Sequence, residues 1–276
     1  ILTDQQKMFF ADFGFLQFPG LMADCIDGIT HEFEAIWARH GGGHNGHPHD
    51  SHRRSCLVPF IDHSELLSAL IDAPRIHDIA SSLLGDDFNY AGSDGNYYAG
   101  DTHWHSDGWN TDGPPRIKIA IYLDRVTAST GALRVIPGSH RAGDVYADTL
   151  QEKLSESESI WGIDGWKIPA YALESYPGDI ACFNHNIKHA AFGGNSRRRM
   201  FTINCHAHYP ERHLDDLRKQ IADLARFWLD HAYGEVMVRT AGRERMVHLK
   251  QILDNDGHLA ELSLRQREDM TEPSRG

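Results

Sequence analysis

His105-Ser106-Asp107 puts an imidazole and a carboxylate two residues apart. On an extended strand, side chains alternate, so positions i and i+2 project from one face. A second imidazole, His189, comes much later, followed closely by Arg197-Arg198-Arg199. Two imidazoles and one carboxylate on one side of an ion leave three coordination positions open. That set suits non-haem Fe(II) that activates O2. The arginine run predicts a co-substrate bearing a carboxylate, which a guanidinium grips through two parallel charge-assisted hydrogen bonds. In a chain with 19 histidines, His-x-Asp alone also describes a solvated surface strand. Its setting narrows the choice: Trp104 and Trp109 bracket it, Gly108 follows, and a period-two strand occupies residues 117–123.

Those ligands need a scaffold that brings distant strands together. The first third of the chain reads as helical. Thr3 and Gln6 form a capping box, Phe9, Phe10 and Phe13 give one apolar side, and Gly14 can end the helix before a short strand over 15–18. Ile26, Ile29, Phe33, Ile36 and Trp37 fall at helical spacing with Gly41 as a stop, and Pro74 can open a helix burying Ile76, Ile79, Leu83 and Leu84. From about residue 88 to 208 the pattern is β. Strands are expected at 96–98, 102–105, 117–123, 133–136, 180–183 and 200–205, separated by Gly, Pro, Asn and Asp. After Pro210 helical spacing returns, with Leu214, Leu217, Ile221, Leu224, Phe227 and Trp228 on one stripe. That stripe is expected to pack or to form an oligomer surface. The last dozen residues are polar and expected to fray.

Composition bounds the function. The 276 residues suffice for one sizeable core, and 41% hydrophobic with 24% charged residues is ordinary for a globular domain. A formal net charge of −12, with no basic tract beyond Arg197 to Arg199, disfavours nucleic acid and anionic membrane as partners. No apolar run approaches the roughly 20 residues of a membrane helix. The first residues lack the pattern of a signal peptide. Cys25, Cys56, Cys182 and Cys205 are widely spaced, which predicts reduced thiols in a cytoplasmic protein.

Several segments, in order, resemble the phytanoyl-CoA dioxygenase family of Fe(II)/2-oxoglutarate-dependent oxygenases. They are Leu2-Thr3-Asp4-Gln5-Gln6 with Gly14-Phe15-Leu16 and Phe18-Pro19-Gly20, then His105-Ser106-Asp107. Next comes Thr130-Gly131-Ala132-Leu133-Arg134-Val135-Ile136-Pro137-Gly138-Ser139-His140, the most specific match. Last are Gly178-Asp179-Ile180, His189, Asn195-Ser196 and Arg198. Together they cover roughly residues 1–208. The resemblance implies a mainly β fold with flanking helices, a double-stranded β-helix or cupin-like jelly roll. It implies an oxygenase domain over 1–209 with N-terminal helices; the helical spacing after Pro210, outside the resemblance, adds an expected helical extension over 210–276 packed on the same domain.

The resemblance also implies that His105, Asp107 and His189 hold Fe(II). 2-Oxoglutarate would be the co-substrate, with O2 consumed and a small molecule hydroxylated as succinate and CO2 leave. His185 competes with His189 for the distal ligand position, but His189 has the family's spacing from Gly178-Asp179. The co-substrate arginine is Arg198 or Arg199; on an alternating strand only one can point inward. Asn96 resembles a position from which some relatives contact 2-oxoglutarate, against a plain turn asparagine. Ala190-Ala191 replaces a more usual Gly-Ser and removes a hydroxyl, for which Thr202 is the replacement. Asp107 argues against the halogenating variant, where Gly or Ala frees a position for chloride.

Other features have blander readings. His-rich residues 40–52 could bind Zn or Ni, but their glycines also describe a flexible loop that could close over the site. Arg134, Ser139 and His140 read as turn-stabilising residues at a barrel rim. Arg116 and Lys118 share a strand face and could meet an anionic substrate, against simple solvation at a strand edge. The Glu-rich stretch 151–159 reads as an exposed, mobile insertion. Two rival functions remain at this point: a non-catalytic cupin-like metal or ligand-binding protein, and a metal-storage or sensing protein built on the histidine tract.

Overall fold

The Thr3 hydroxyl accepts from the Gln6 amide at 3.2 Å, and the Gln6 side chain accepts from the Thr3 amide at 2.9 Å. This reciprocal cap starts α1 (Asp4–Phe13), which ends at Gly14 in the left-handed region before β1 (Phe15–Phe18). A computed structural model describes residues 1–109 and 111–276. In it the N-terminal region continues with α2 (Ile26–Arg39), β2 (Ser55–Leu57), α3 (Glu65–Ser68) and α4 (Pro74–Leu84). Pro74 occupies the first turn of α4, where its missing N–H is not needed.

The strand region follows: β3 (Asn89–Tyr98), β4 (Thr102–His105), β5 (Arg116–Tyr122) and β6 (Leu133–Val135). After α5 (Val145–Lys153) and α6 (Ser157–Trp161) come β7 (Tyr171–Leu173), β8 (Ile180–Asn184), β9 (His189–Ala191) and β10 (Arg198–His206). They form a six-stranded sheet, β1-β8-β5-β10-β3-β2, facing a four-stranded sheet, β4-β9-β6-β7. All strand pairs given by register are antiparallel. The architecture is the expected double-stranded β-helix. Sequence reading missed β2, β7 and β9, each three residues long, because so short a run carries no periodicity.

Alternation divides the large sheet. Ile117, Ile119, Ile121, Phe201 and Ile203 point outward, where Phe33 and Trp37 of α2 and Ile79 of α4 cover them in the main core. Ala120, Tyr122, Phe183 and Met200 point inward and meet Leu133, Val135 and Leu173 of the small sheet. A third cluster joins Trp104, Ile136, Ile168 and Phe192 to Leu154. Leu154 is 2% exposed and lies between α5 and α6. The stretch expected to be an exposed insertion is exposed over most of its residues, but it is helical and has its own apolar anchor in Leu154. Cations were misjudged too: Lys118 is not solvated at a strand edge but faces the barrel interior.

The C-terminal region forms α7 (Leu214–Ala222), α8 (Glu235–Arg239), α9 (Arg243–Leu253) and α10 (Leu259–Asp269). Leu217, Ile221, Leu249 and Leu259 are buried in the main core, so the expected stripe packs on the chain's own barrel. The terminal residues do not fray as expected. α10 continues to Asp269, and the tail beyond it is fastened: the Arg275 guanidinium donates to the Arg54 carbonyl at 2.9 Å and pairs with Glu272 at 2.9 Å. His44 reaches the Pro273 carbonyl at 2.9 Å, and the Ser274 amide donates to the Arg226 carbonyl at 2.8 Å. No helix among the described residues is long and apolar enough to cross a membrane.

Candidate metal centre

β4 and β9 are hydrogen-bonded neighbours, and their register pairs His105 with His189. Side chains directly opposite on antiparallel strands share a face, so the two imidazoles meet with ring centroids 4.2 Å apart. Asp107 lies just past the end of β4. Its Oδ1 is 3.9 Å from Nε2 of His105 and 3.8 Å from Nε2 of His189. Ligand atoms of these three residues all lie within 4.8 Å of one another, the one such group among the described residues. His185 is not in it: its ring lies edge-on to His206 at 5.5 Å, and burial pushes its pKa down to about 4.

The hydrogen bonds around the triad fix which atoms can bind an ion. Nδ1 of His105 meets the His103 carbonyl at 2.8 Å, and Nδ1 of His189 meets the Ile187 carbonyl at 3.0 Å. A carbonyl only accepts, so each Nδ1 carries the proton and each Nε2 lone pair is free. The Lys118 ammonium lies 2.8 Å from Asp107 Oδ2, leaving Oδ1 turned towards the two rings. Burial alone would raise the Asp107 carboxyl, but Lys118, His189 and His185 outweigh it and hold it well below the usual carboxylate range. Burial pushes His189 down to about 3. At neutral pH Asp107 is then a carboxylate and His189 a neutral imidazole, the protonation states that metal coordination requires. Lys188, buried beside His189, braces the intervening turn: its ammonium donates to the Ser106 hydroxyl at 3.2 Å and lies 3.8 Å from the Trp109 ring centroid.

The arginines separate by alternation along β10. Arg198 pairs with Tyr98 across the sheet, faces inward and is 2% exposed. Its Nε and one terminal nitrogen, Nη1, are buried without a hydrogen-bond partner among the described residues. Gly131 and Gly194 make room for it; a Cβ at either would collide with the guanidinium. Burying such donors unpaired is costly, and an anion with two oxygens would satisfy them. Arg199 faces the other way, with its guanidinium 2.6 Å from Asp124 and 2.9 Å from Glu34. Arg197 pairs with Glu34 at 3.2 Å on the surface.

The remaining expected contacts fall differently. Asn96 is fully buried, but its amide accepts from Arg54 at 2.7 Å and donates to Asp94 at 2.7 Å, away from the cavity wall. Thr202 lies on the cavity wall, with its hydroxyl donating to Asp94. Three of the five histidines of the 40–52 segment are engaged by backbone and hydroxyl groups. His40 reaches the Ile36 carbonyl, His44 the Cys56 and Pro273 carbonyls, and His49 the Ser55 hydroxyl and Ser196 carbonyl. Arg134 donates to the Trp166 and Ala128 carbonyls at 2.8 Å each, and the Ser139 hydroxyl accepts from the Lys188 amide, consistent with turn roles. Residues that the sequence did not flag are Asp94, Arg54 and Lys188. The only signal for Asp94 was its same-face spacing with Asn96.

The model of the phytanoyl-CoA dioxygenase (PhyH) family matches residues 10–200, more than half of the chain. The chain belongs to the phytanoyl-CoA dioxygenase family. An ectoine dioxygenase of Sphingopyxis alaskensis is 30% identical over 152 residues, covering 47% of this chain and 49% of that protein. The chain thus matches about half the length of this curated relative. Solved structures share the fold. The apo form of EctD from S. alaskensis superposes with a TM-score of 0.56 at 22% identity, over 75% of this chain and 77% of that one. HygX from Streptomyces hygroscopicus, solved with nickel and 2-oxoglutarate bound, gives 0.59 at 16% identity over 75% and 88%. SnoK, described as a non-haem α-ketoglutarate-dependent carbocyclase of nogalamycin biosynthesis, gives 0.58 at 20% identity over 75% and 84%. Residues 201–276 of this phytanoyl-CoA dioxygenase family member lie beyond the family match.

Proposed function

We propose that this protein is an Fe(II)- and 2-oxoglutarate-dependent dioxygenase that hydroxylates a C–H bond of a small molecule. The supporting observation is the triad's hydrogen bonding, with both Nδ1 atoms tied to carbonyls and three ligand atoms left converging. In this reading His105, Asp107 and His189 hold the iron, and Arg198 receives the far carboxylate of 2-oxoglutarate. Bound there, iron and co-substrate couple O2 reduction and decarboxylation, giving succinate and CO2, to insertion of one oxygen atom into the substrate. The protein's own part is positional. Lys118 orients one oxygen of Asp107 inward, and the barrel walls keep Arg198 dry so that its charge-assisted bonds are strong. Asn96 and Thr202 act through Asp94 in this reading and do not touch the co-substrate. Four unpaired cysteines fit a reducing compartment, and we place the protein in the cytoplasm.

The test is anaerobic addition of Fe(II) and 2-oxoglutarate, followed by the visible charge-transfer absorption of the chelate. His189→Ala and Asp107→Ala are expected to abolish it. Absorption that survives both changes overturns the assignment. A metal-storage role for residues 40–52 would instead show as metal binding lost when that segment is deleted.

A further inference from the structure

The proposed centre borders a cavity of about 550 Å³, a size typical of small-molecule sites. Leu217, Ile221 and Leu224 of the α7 region give that cavity an apolar lining, while the strands contribute charge. Two of those charged residues, Lys118 and Asp94, lie outside the triad. Along β5, alternation turns Lys118, Ala120 and Tyr122 into the barrel. Cross-strand register then locates Asp94: Ala120 pairs with Thr202 on β10, and Thr202 pairs with Asp94 on β3. Asp94 thus faces the same interior from two strands away, and both residues line the cavity. Its carboxylate is fixed by the Thr202 hydroxyl, the Asn96 amide at 2.7 Å and the Arg54 guanidinium at 3.1 Å. Burial alone would lower the Lys118 ammonium, but Asp107 and Asp94 outweigh it, so the amine stays charged.

The two oxygens of Asp107 are divided between different neighbours. Oδ1 is 3.9 Å and 3.8 Å from Nε2 of His105 and His189, whereas Oδ2 lies 2.8 Å from the Lys118 ammonium. A carboxylate free on both sides can turn and give an ion both oxygens. The second oxygen would then fill a position that the co-substrate or O2 requires. An oxygen already paired with an ammonium is withheld from the ion. The same ammonium is a cation beside the metal position, so it also weakens the hold of the site on a divalent ion. Given the iron and 2-oxoglutarate reading, on which this step rests, we propose that Lys118 is a positioning residue that restrains Asp107 to one-oxygen ligation, with Asp94 balancing its charge. The site gives up metal affinity and keeps its open positions.

The sign of the change in metal affinity separates this role from a merely structural one. Losing an outer partner of a metal ligand normally weakens metal binding, about ten- to hundredfold. Lys118→Met removes a cation and frees Oδ2, so anaerobic Fe(II) affinity, read by competition with a chelating dye, is expected to rise about tenfold. That protein is expected to bind 2-oxoglutarate about tenfold more weakly, with the chelate absorption shifted, because a second carboxylate oxygen takes up room on the ion. Asp94→Asn leaves Lys118 and Arg54 unbalanced and is expected to move the iron affinity the other way, lowering it severalfold. Melting without metal checks that each variant is folded; if Lys118→Met is not, Lys118→Gln carries the same predictions. A folded Lys118 variant that holds Fe(II) no more tightly, or binds 2-oxoglutarate as before, overturns the inference and leaves the iron reading standing. So does a shift of both variants in one direction. Unaltered protein that forms no chelate at all overturns the iron reading and this inference with it.

Discussion

Arg198 and Arg199 are adjacent in sequence and opposite in environment. One is buried with donors unmatched; the other is clamped between Asp124 and Glu34. Truncating one partner of a buried charge pair costs about 2–5 kcal/mol. Arg198→Gln is therefore expected to weaken 2-oxoglutarate binding about a hundredfold or more, measured by titrating the chelate absorption. Arg199→Gln should leave that affinity nearly unchanged and lower the melting temperature instead. Equal effects of the two changes would sink the assignment. Alternation said that only one of the pair points inward; which one is fixed by the register of β10 on β3, and no local pattern encodes that. Asn96 shows the same gap. Its burial was consistent with a site residue, but its amide serves Arg54 and Asp94, partners contributed by long-range packing. Lys118 looked like an edge lysine because a charge on a strand usually is one, and only the fold shows the carboxylate waiting opposite.

Elements with long apolar periods were legible: α1, α2, α4 and β5 lie where spacing and caps put them. The short β9 was not, although it carries His189. Composition placed most of residues 151–159 in solvent, where they are, but gave no sign of the helices or of the anchor that Leu154 supplies. That leucine packs with Trp104, Ile136, Ile168 and Phe192, and the Ser106 hydroxyl donates to Gln151 of the same segment at 3.3 Å. Leu154→Ala is expected to destabilise the protein by about 2–4 kcal/mol, the usual range for emptying a buried leucine site. Urea unfolding measures it. A loss below about 0.5 kcal/mol, the range of ordinary surface changes, would restore the mobile-insertion reading.

Across the whole molecule, buried titratable groups set the response to acid. Burial pushes His63 and His185 down to about 4, below their ordinary 6.5. Between those values the unfolded chain takes up protons that the folded one excludes, so stability falls as pH drops through that window. Asp62, which burial pushes up to about 6, works the other way between its ordinary 3.8 and 6. The two histidines outweigh the one carboxyl near pH 6. The melting temperature in chelator is expected to decline from pH 7 to 5, more shallowly in His185→Asn, and a flat profile would contradict the assignment. The cavity itself was illegible in the sequence, because its apolar wall comes from helices after residue 210 and its charged wall from strands a hundred residues earlier.

The cross-strand pairing of His105 with His189 reaches beyond chemistry. β4 ends the smaller sheet and leans on a single neighbour, with its register interrupted between Thr102 and His105. Whatever ion joins those two rings rivets a rim that would otherwise unzip from one side. In the proposed reading, loading the catalyst and fastening that edge of the smaller sheet are then one event.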